Sequence, residues 1–142
     1  MKKAIIEGFG NPRDVIRCVE APDPGAPGPD EVVFDVLAHP INPADLALLE
    51  GRYAVKPPLP MTPGAECIGR IATVGAAVTD LKPGDRVINM QRENWAQKRR
   101  VKAADAIKVR DDIPLAQAAM LRINPPTALL LLEDVVTLKA GD

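Results

Sequence analysis

The sequence predicts a mainly β domain with a few helices, built as a small, partly open barrel. Three observations carry this reading. Several short β-rich runs follow one another at close spacing, separated by Gly/Pro turns. The 142 residues include 15 prolines, a density that limits long helices and favours short strands joined by rigid turns. Apart from one compact helix signal near residue 43, helical patterning gathers after Asp112. A chain of this length builds one core rather than two.

Lys3 to Phe9 is apolar and partly β-branched and reads as the first strand, ended by the turn Gly10-Asn11-Pro12. Val15 to Val19 reads as the second. The stiff stretch from Ala21 to Pro29 can hold neither helix nor ladder, so the residues before it must pair with later strands. Glu31 to Leu37 (EVVFDVL) is the clearest strand. A short helix follows: Asn42 can cap it, Pro43 suits the first helical position, Ala44 to Glu50 propagate, and Gly51 ends it. Ala65 to Val74 is β-rich and carries Gly69 where a bulge or close backbone approach would sit. The turn from Leu81 to Asp85 feeds a strand from Arg86 to Met90, and Trp95 to Lys102 and Ala106 to Val109 add two more. Pro114 to Leu121 reads as a helix, and Pro125 to Asp134 as a second one capped by Asn124. Leu138-Lys139-Ala140-Gly141-Asp142 reads as a turn that delivers the chain into a further element.

Charge excludes some functions. With 18 basic and 19 acidic residues the net charge is −1, which gives no electrostatic case for nucleic acid or anionic membrane. The cluster Lys98-Arg99-Arg100 with Lys102 reads as a solvated strand edge, with a phosphate-binding patch as the alternative. Cys18 and Cys67 form no CxxC pair and no disulfide framework, which fits a reducing, cytoplasmic setting. The apolar stretch before Glu7 is too brief for a signal peptide, and Ala128 to Leu132 too brief to span a bilayer.

Five segments then carry a family likeness: Ile41-Asn42-Pro43-Ala44-Asp45, Glu50-Gly51-Arg52-Tyr53, Pro63-Gly64-Ala65-Glu66-Cys67-Ile68-Gly69, Val74-Gly75, and Leu81-Lys82-Pro83-Gly84-Asp85-Arg86-Val87. In order and at fitting intervals, they resemble the front half of the medium-chain, alcohol dehydrogenase-like dehydrogenase/reductases. The resemblance implies a GroES-like, partly open β-barrel over residues 1–142 as the catalytic, substrate-side domain. It also implies a Rossmann domain beyond it, an active site in the cleft between the two, and a homodimer in the full-length enzyme. The chain is expected to stop short of that Rossmann domain, with helices at about 114–134 leading toward it. No glycine-rich phosphate fingerprint follows a strand; Gly8-Phe9-Gly10 is more simply a strand end and turn.

The zinc alcohol dehydrogenases carry a cysteine where this chain has Asn42 and a histidine where it has Ala65, and their four-cysteine lobe has no counterpart. One histidine and two distant cysteines cannot supply a tetrahedral zinc set, so no metal is expected. The zinc-free reductases of enoyl thioesters and quinones remain. Ile123-Asn124-Pro125-Pro126-Thr127-Ala128 looks like the Asn-Pro-x-Thr-Ala segment of mitochondrial-type 2-enoyl thioester reductases, and Asn94-Trp95 is similar to their form. Gly51-Arg52-Tyr53 occurs in both branches.

Reduction of an enoyl thioester needs a hydride at Cβ and a proton at Cα. NADPH, bound mainly by the Rossmann domain, supplies the hydride. A phenol with a pKa of ~10 keeps its proton at neutral pH and can donate it. The single tyrosine, Tyr53, matches the family's proton-donor position; the bland alternative is a ring packed on the surface. Asn124 matches the residue that touches the cofactor near its nicotinamide, a role compatible with capping. Asn42 and Asp45 read as helix-start residues, His39 as bonded to solvent or backbone, and Trp95 as core or cleft wall. Glu66 either orients cleft groups or pairs with a nearby base. By itself the domain is expected to be inactive and to expose an apolar patch around Ala128 to Leu132. The alternatives are a quinone or enone reductase, and a free-standing GroES-like binding module. The module would need a mobile apolar loop, and Ala21 to Pro29 lacks the large aliphatics for one.

Overall fold

The computed structural model describes residues 1–139 and Gly141. Strand β1 (Lys2–Ile5) is followed by a single helical turn α1 (Pro12–Val15), then β2 (Arg17–Glu20) and β3 (Glu31–Ala38). Helix α2 (Pro43–Leu49) leads to β4 (Ile68–Val74), β5 (Arg86–Asn89), β6 (Lys98–Lys102) and β7 (Ala106–Val109). Helices α3 (Leu115–Ala118) and α4 (Asn124–Leu130) come last, and a π-helical turn, Leu131–Val135, extends α4. Five antiparallel strands form a sheet in the order β6-β3-β4-β5-β7, and β1 pairs with β2 in a separate ribbon. The mainly β reading holds, and β6 and β7 leave the sheet open at both edges.

The strongest strand signal became the centre of the core. Val32 and Phe34 on β3 are fully buried and pack with Cys67, Ile71, Val87 and Val101. Gly69 lies against this layer: a Cβ there would overlap the Phe34 ring and come 2.9 Å from the Asp35 carbonyl oxygen. The β3–β4 register slips between Val36 and Ala38, beside Gly69, so the close approach read from the sequence is real. Arg86, although buried, donates its Nη1 to the carbonyls of Asp111 (2.9 Å) and Ile113 (2.8 Å), which fastens the segment after β7 to the sheet, while its Nη2 has no partner among the described residues.

Several boundaries differ from the sequence reading, each for a local reason. The first strand stops at Ile5 because Ile6 exchanges backbone bonds with Met61 at 2.9 and 3.0 Å. Val15 closes the turn α1, capped by the Asn11 side chain accepting from the Arg13 N–H at 3.1 Å, and β2 starts only at Arg17. Ala65 gives its N–H to a side chain, Asp45 Oδ1 at 3.0 Å, so ladder pairing in β4 begins at Ile68. Trp95 and Gln97 bond back to β1, through Ala4 N–H to the Trp95 oxygen (2.8 Å) and Gln97 N–H to the Lys2 oxygen (3.0 Å), and β6 begins at Lys98.

Asn124 does not cap α4. Ile123 occupies the cap position in helical geometry, and the Asn124 N–H donates to the Met120 oxygen at 3.4 Å. The chain thus enters α4 already wound, with no orphan N–H left for an asparagine side chain to receive.

The basic run lies on the edge strand β6, and each cation has a carboxylate. Lys98 pairs with Asp23 (3.0 Å), Arg99 with Glu93 (3.1 Å), Arg100 with Glu31 (3.5 Å) and Lys102 with Asp30 (3.8 Å). The strand-edge reading therefore stands over the phosphate patch. Leu129 to Leu132 are each 52–54% exposed, as the apolar-patch expectation requires. Among the described residues no helix is long and apolar enough to cross a membrane. Of the expected ending, Ala140 and Asp142 lie outside the described residues.

Candidate active site

Helix α2 builds one side of the site. At its start the Asp45 carboxylate accepts the Asn42 N–H at 2.9 Å, and the Asn42 amide nitrogen donates to Glu66 Oε1 at 3.0 Å. Asp45 also accepts the Ala65 N–H through its other oxygen, so it is buried and doubly bonded. The helix-start reading holds for both residues, Asn42 as the N-cap of α2 and Asp45 as its capping-box partner, and the Asn42 amide reaches Glu66 besides. Glu66, only 1% exposed, accepts the Ile123 N–H at Oε2 (3.2 Å). Glu66 therefore orients the cleft, joining the start of α2 to the segment ahead of α4.

At the other end of α2, Gly51 turns the chain at φ +72°, a conformation glycine enters without steric cost. Tyr53 then anchors its N–H to the Ala47 oxygen at 3.1 Å. The ring is half-buried, and the Arg92 guanidinium carbon lies 5.8 Å from its centroid. Tyr53 opens onto a cleft of about 370 Å³ shared with Arg92, Arg122, Ile123, Pro126 and Thr127. The tyrosine and the Asn-Pro-Pro-Thr segment thus meet across some seventy residues of sequence. Asn124 is exposed at the rim, between residues that line the cleft, and is not itself a lining residue.

Sequence reading missed two residues of this cleft. Arg122 passes its Nη1 to the carbonyls of Ala65 and Gln91, the latter at 3.2 Å. Burial first, and the nearby Arg92 charge second, lower the Arg122 pKa from its ordinary value. The only signal available was a cation inside the otherwise apolar run 119–123. A second, more enclosed cavity of about 390 Å³ adjoins the cleft through Arg92, walled by Leu48, Pro57, Pro60 and Met61.

The remaining candidates lie elsewhere or are inert. Cys67 is fully buried and donates its Sγ to Asn94 Oδ1 at 3.2 Å; burial pushes its pKa up to about 12, so it keeps its proton. Trp95 is buried with Ile6 and Leu49 and stacks on His39, ring centroids 5.6 Å apart. His39 Nδ1 lies 3.4 Å from the Pro40 oxygen, a backbone contact of the expected kind. These two rings border an open groove of about 460 Å³ beside β1, apart from Tyr53. The described residues bring together no group of three His, Cys, Asp or Glu side chains suited to a metal.

The alcohol dehydrogenase GroES-like domain family matches residues 28–111. A mitochondrial enoyl-[acyl-carrier-protein] reductase of Caenorhabditis elegans is 34% identical over 143 residues, 99% of this chain and 42% of the relative. The structure of Etr1p with NADP and crotonyl-CoA superposes with a TM-score of 0.85 at 26% identity, covering 99% of this chain and 45% of its own. A quinone oxidoreductase of Pseudomonas syringae pv. tomato superposes with a TM-score of 0.81 at 31% identity, covering 97% and 42%. The chain thus spans about two fifths of the length of the relatives it resembles.

Proposed function

Because the chain belongs to the alcohol dehydrogenase GroES-like domain family, we propose that residues 1–142 form the substrate-side domain of a zinc-independent, NADPH-dependent reductase of 2-enoyl thioesters. Residues 114–134 would lead toward its nucleotide-binding domain. The observation that carries the reading is the cleft shared by Tyr53 and the segment around Asn124. Similarity to an enoyl reductase over 99% of the chain supports it, as does a structural neighbour solved with NADP and crotonyl-CoA.

The fit of the nicotinamide cofactor to this chain is partial. Gly8-Phe9-Gly10 leads only into the single turn α1, and the Gly10 N–H already donates to the Leu49 oxygen at 2.9 Å, so no pyrophosphate cradle is offered there. The cleft does present hydroxyl and amide groups, Thr127 within it and Asn124 at its rim. These suit the reactive, carboxamide end of the cofactor, which when bound supplies a hydride. Tyr53 holds the proton for Cα. Glu66 and Asn42 fix the wall against which the substrate lies. At the zinc-ligand positions of the metal branch, Asn42 has its amide committed to Glu66 and Ala65 has no ligand atom.

The quinone branch is the second reading, favoured by the Pseudomonas syringae neighbour. A cytoplasmic location is proposed on the two free thiols; relatives are named mitochondrial, and fractionation separates the two. The activity test measures NADPH oxidation by the polypeptide that carries this chain with its nucleotide-binding domain. Turnover of crotonyl-CoA above that of a benzoquinone supports the thioester reading, and turnover of the quinone alone overturns it.

A further inference from the structure

Arg92 and Arg122 line the same cleft as Tyr53, and we propose that the two guanidinium groups form a subsite for an anionic oxygen of the ligand, beside the tyrosine. The inference rests on the reductase reading only in saying which oxygen that is. The carbonyl oxygen of the thioester becomes anionic during reduction.

The two arginines differ from the other cations of this surface. Those on β6 each have a carboxylate. Among the described residues Arg92 has no ion pair or side-chain hydrogen bond, and its contact is the Tyr53 ring at 5.8 Å. Arg122 is held by two carbonyl oxygens through one nitrogen, Nη1, which fixes the group and leaves its other N–H donors without a protein partner among the described residues. A guanidinium presents its donors in a planar fork that matches a carboxylate or an enolate oxygen.

The nearby carboxylates are already engaged. Glu93 pairs with Arg99 at 3.1 Å. Asp45 is bonded to the N–H groups of Asn42 and Ala65. Glu66 faces Arg122 electrostatically, but both its oxygens are occupied, by the Asn42 amide and the Ile123 N–H. Two cations against one occupied carboxylate leave the cleft with surplus positive charge. Holding a half-buried cation beside a like charge is unfavourable, and burial together with the Arg92 charge pushes the Arg122 pKa down. An anionic oxygen relieves both the desolvation and the repulsion.

The chemistry places the charge where the arginines are. With a nicotinamide cofactor bound, a hydride added at Cβ would move the Cα=Cβ electron pair into a Cα=C bond and the carbonyl pair onto oxygen. Proton transfer from the Tyr53 hydroxyl to Cα restores the carbonyl, and the phenolate regains its proton from solvent. The developing oxygen is one carbon removed from the atom Tyr53 protonates, so a cation beside the ring is placed to stabilise it.

The test compares two ligands of one shape, crotonate and crotonamide, titrated into the 142-residue chain by calorimetry. Crotonate is expected to bind at least about tenfold more tightly, with added salt eroding the difference. Arg92→Gln, which removes a ring contact and the cation of an exposed side chain, is expected to abolish that preference by weakening crotonate at least about tenfold, with the melting temperature unchanged. Arg122→Gln is expected to do the same to crotonate. Equal binding of the two ligands, no crotonate binding tighter than about 10 mM, or a preference that survives Arg92→Gln overturns the subsite. Crotonate preference in a protein that reduces no enoyl thioester would sink the reductase reading and leave the subsite standing.

Discussion

The Asn42 side chain donates to Glu66 at 3.0 Å across 24 residues, and Glu66 hands the connection on to the Ile123 N–H at 3.2 Å. One buried carboxylate thereby ties the start of α2 to the segment that closes the cleft. Glu66→Ala leaves a half-buried amide and a half-buried N–H without this acceptor, and about 1–3 kcal/mol of stability is expected to be lost. Glu66→Gln keeps one carbonyl acceptor and is expected to lose about half as much. Urea unfolding measures both; a neutral Glu66→Ala would remove Glu66 from its structural role.

Gly69→Ala forces a methyl group into the Phe34 ring and toward the Asp35 carbonyl. Because the obstacle includes backbone, the β3–β4 pair must part, at a cost of about 2–3 kcal/mol or more. Thermal unfolding checks this, and an unchanged melting temperature would mean that the register of these strands is softer than the packing implies.

Tyr53→Phe removes the proposed proton donor and no side-chain hydrogen bond recorded among the described residues. In the polypeptide that includes the nucleotide-binding domain, kcat is expected to fall by ~10²–10⁴, with stability changed by less than about 0.5 kcal/mol. A loss confined to KM would make Tyr53 a binding residue and not the acid.

Cys67 supplies a pH prediction. Burial raises its pKa from an ordinary 9.0 to about 12, so the folded chain holds this proton more tightly than the unfolded one. The resulting stability is fully present below about pH 9 and is lost as pH rises toward about 12. Urea midpoints are therefore expected to fall through the alkaline range, and Cys67→Ser to flatten that fall. At neutral pH a thiol reagent should label exposed Cys18 and spare Cys67 until unfolding.

The proposed division of labour predicts that the 142-residue chain binds NADPH no better than the millimolar range. Quenching of Trp95, the one tryptophan, or calorimetry reads the affinity. Micromolar binding would mean that this chain builds a nucleotide site of its own.

Strand β3 and helix α2 were legible in the sequence because their signals are local: an apolar β-branched run, and Asn-Pro followed by apolar spacing and a glycine. The motif singled out Tyr53, and the fold sets that residue on the cleft. The cap assigned to Asn124 was not sound, because whether the preceding turn is already helical depends on where Glu66 holds Ile123. Arg92 and Arg122 escaped notice for a related reason. Nothing in their spacing shows that residues 53, 65, 92 and 122 converge on one cleft, since that follows from how α2 and the strands dock.

The sheet order carries a consequence for synthesis. Strand β3 sits between β4 and β6, and its outer partner lies 63 to 71 positions further on, Asp35 with Lys98 and Glu31 with Lys102. At ~5–20 residues per second a ribosome needs roughly 3–14 s to supply that partner. For that interval the nascent chain must carry Val32, Val33 and Phe34 along an unsealed edge. The charges of β6, which later guard the finished rim against other molecules, arrive only when the vulnerable period is over.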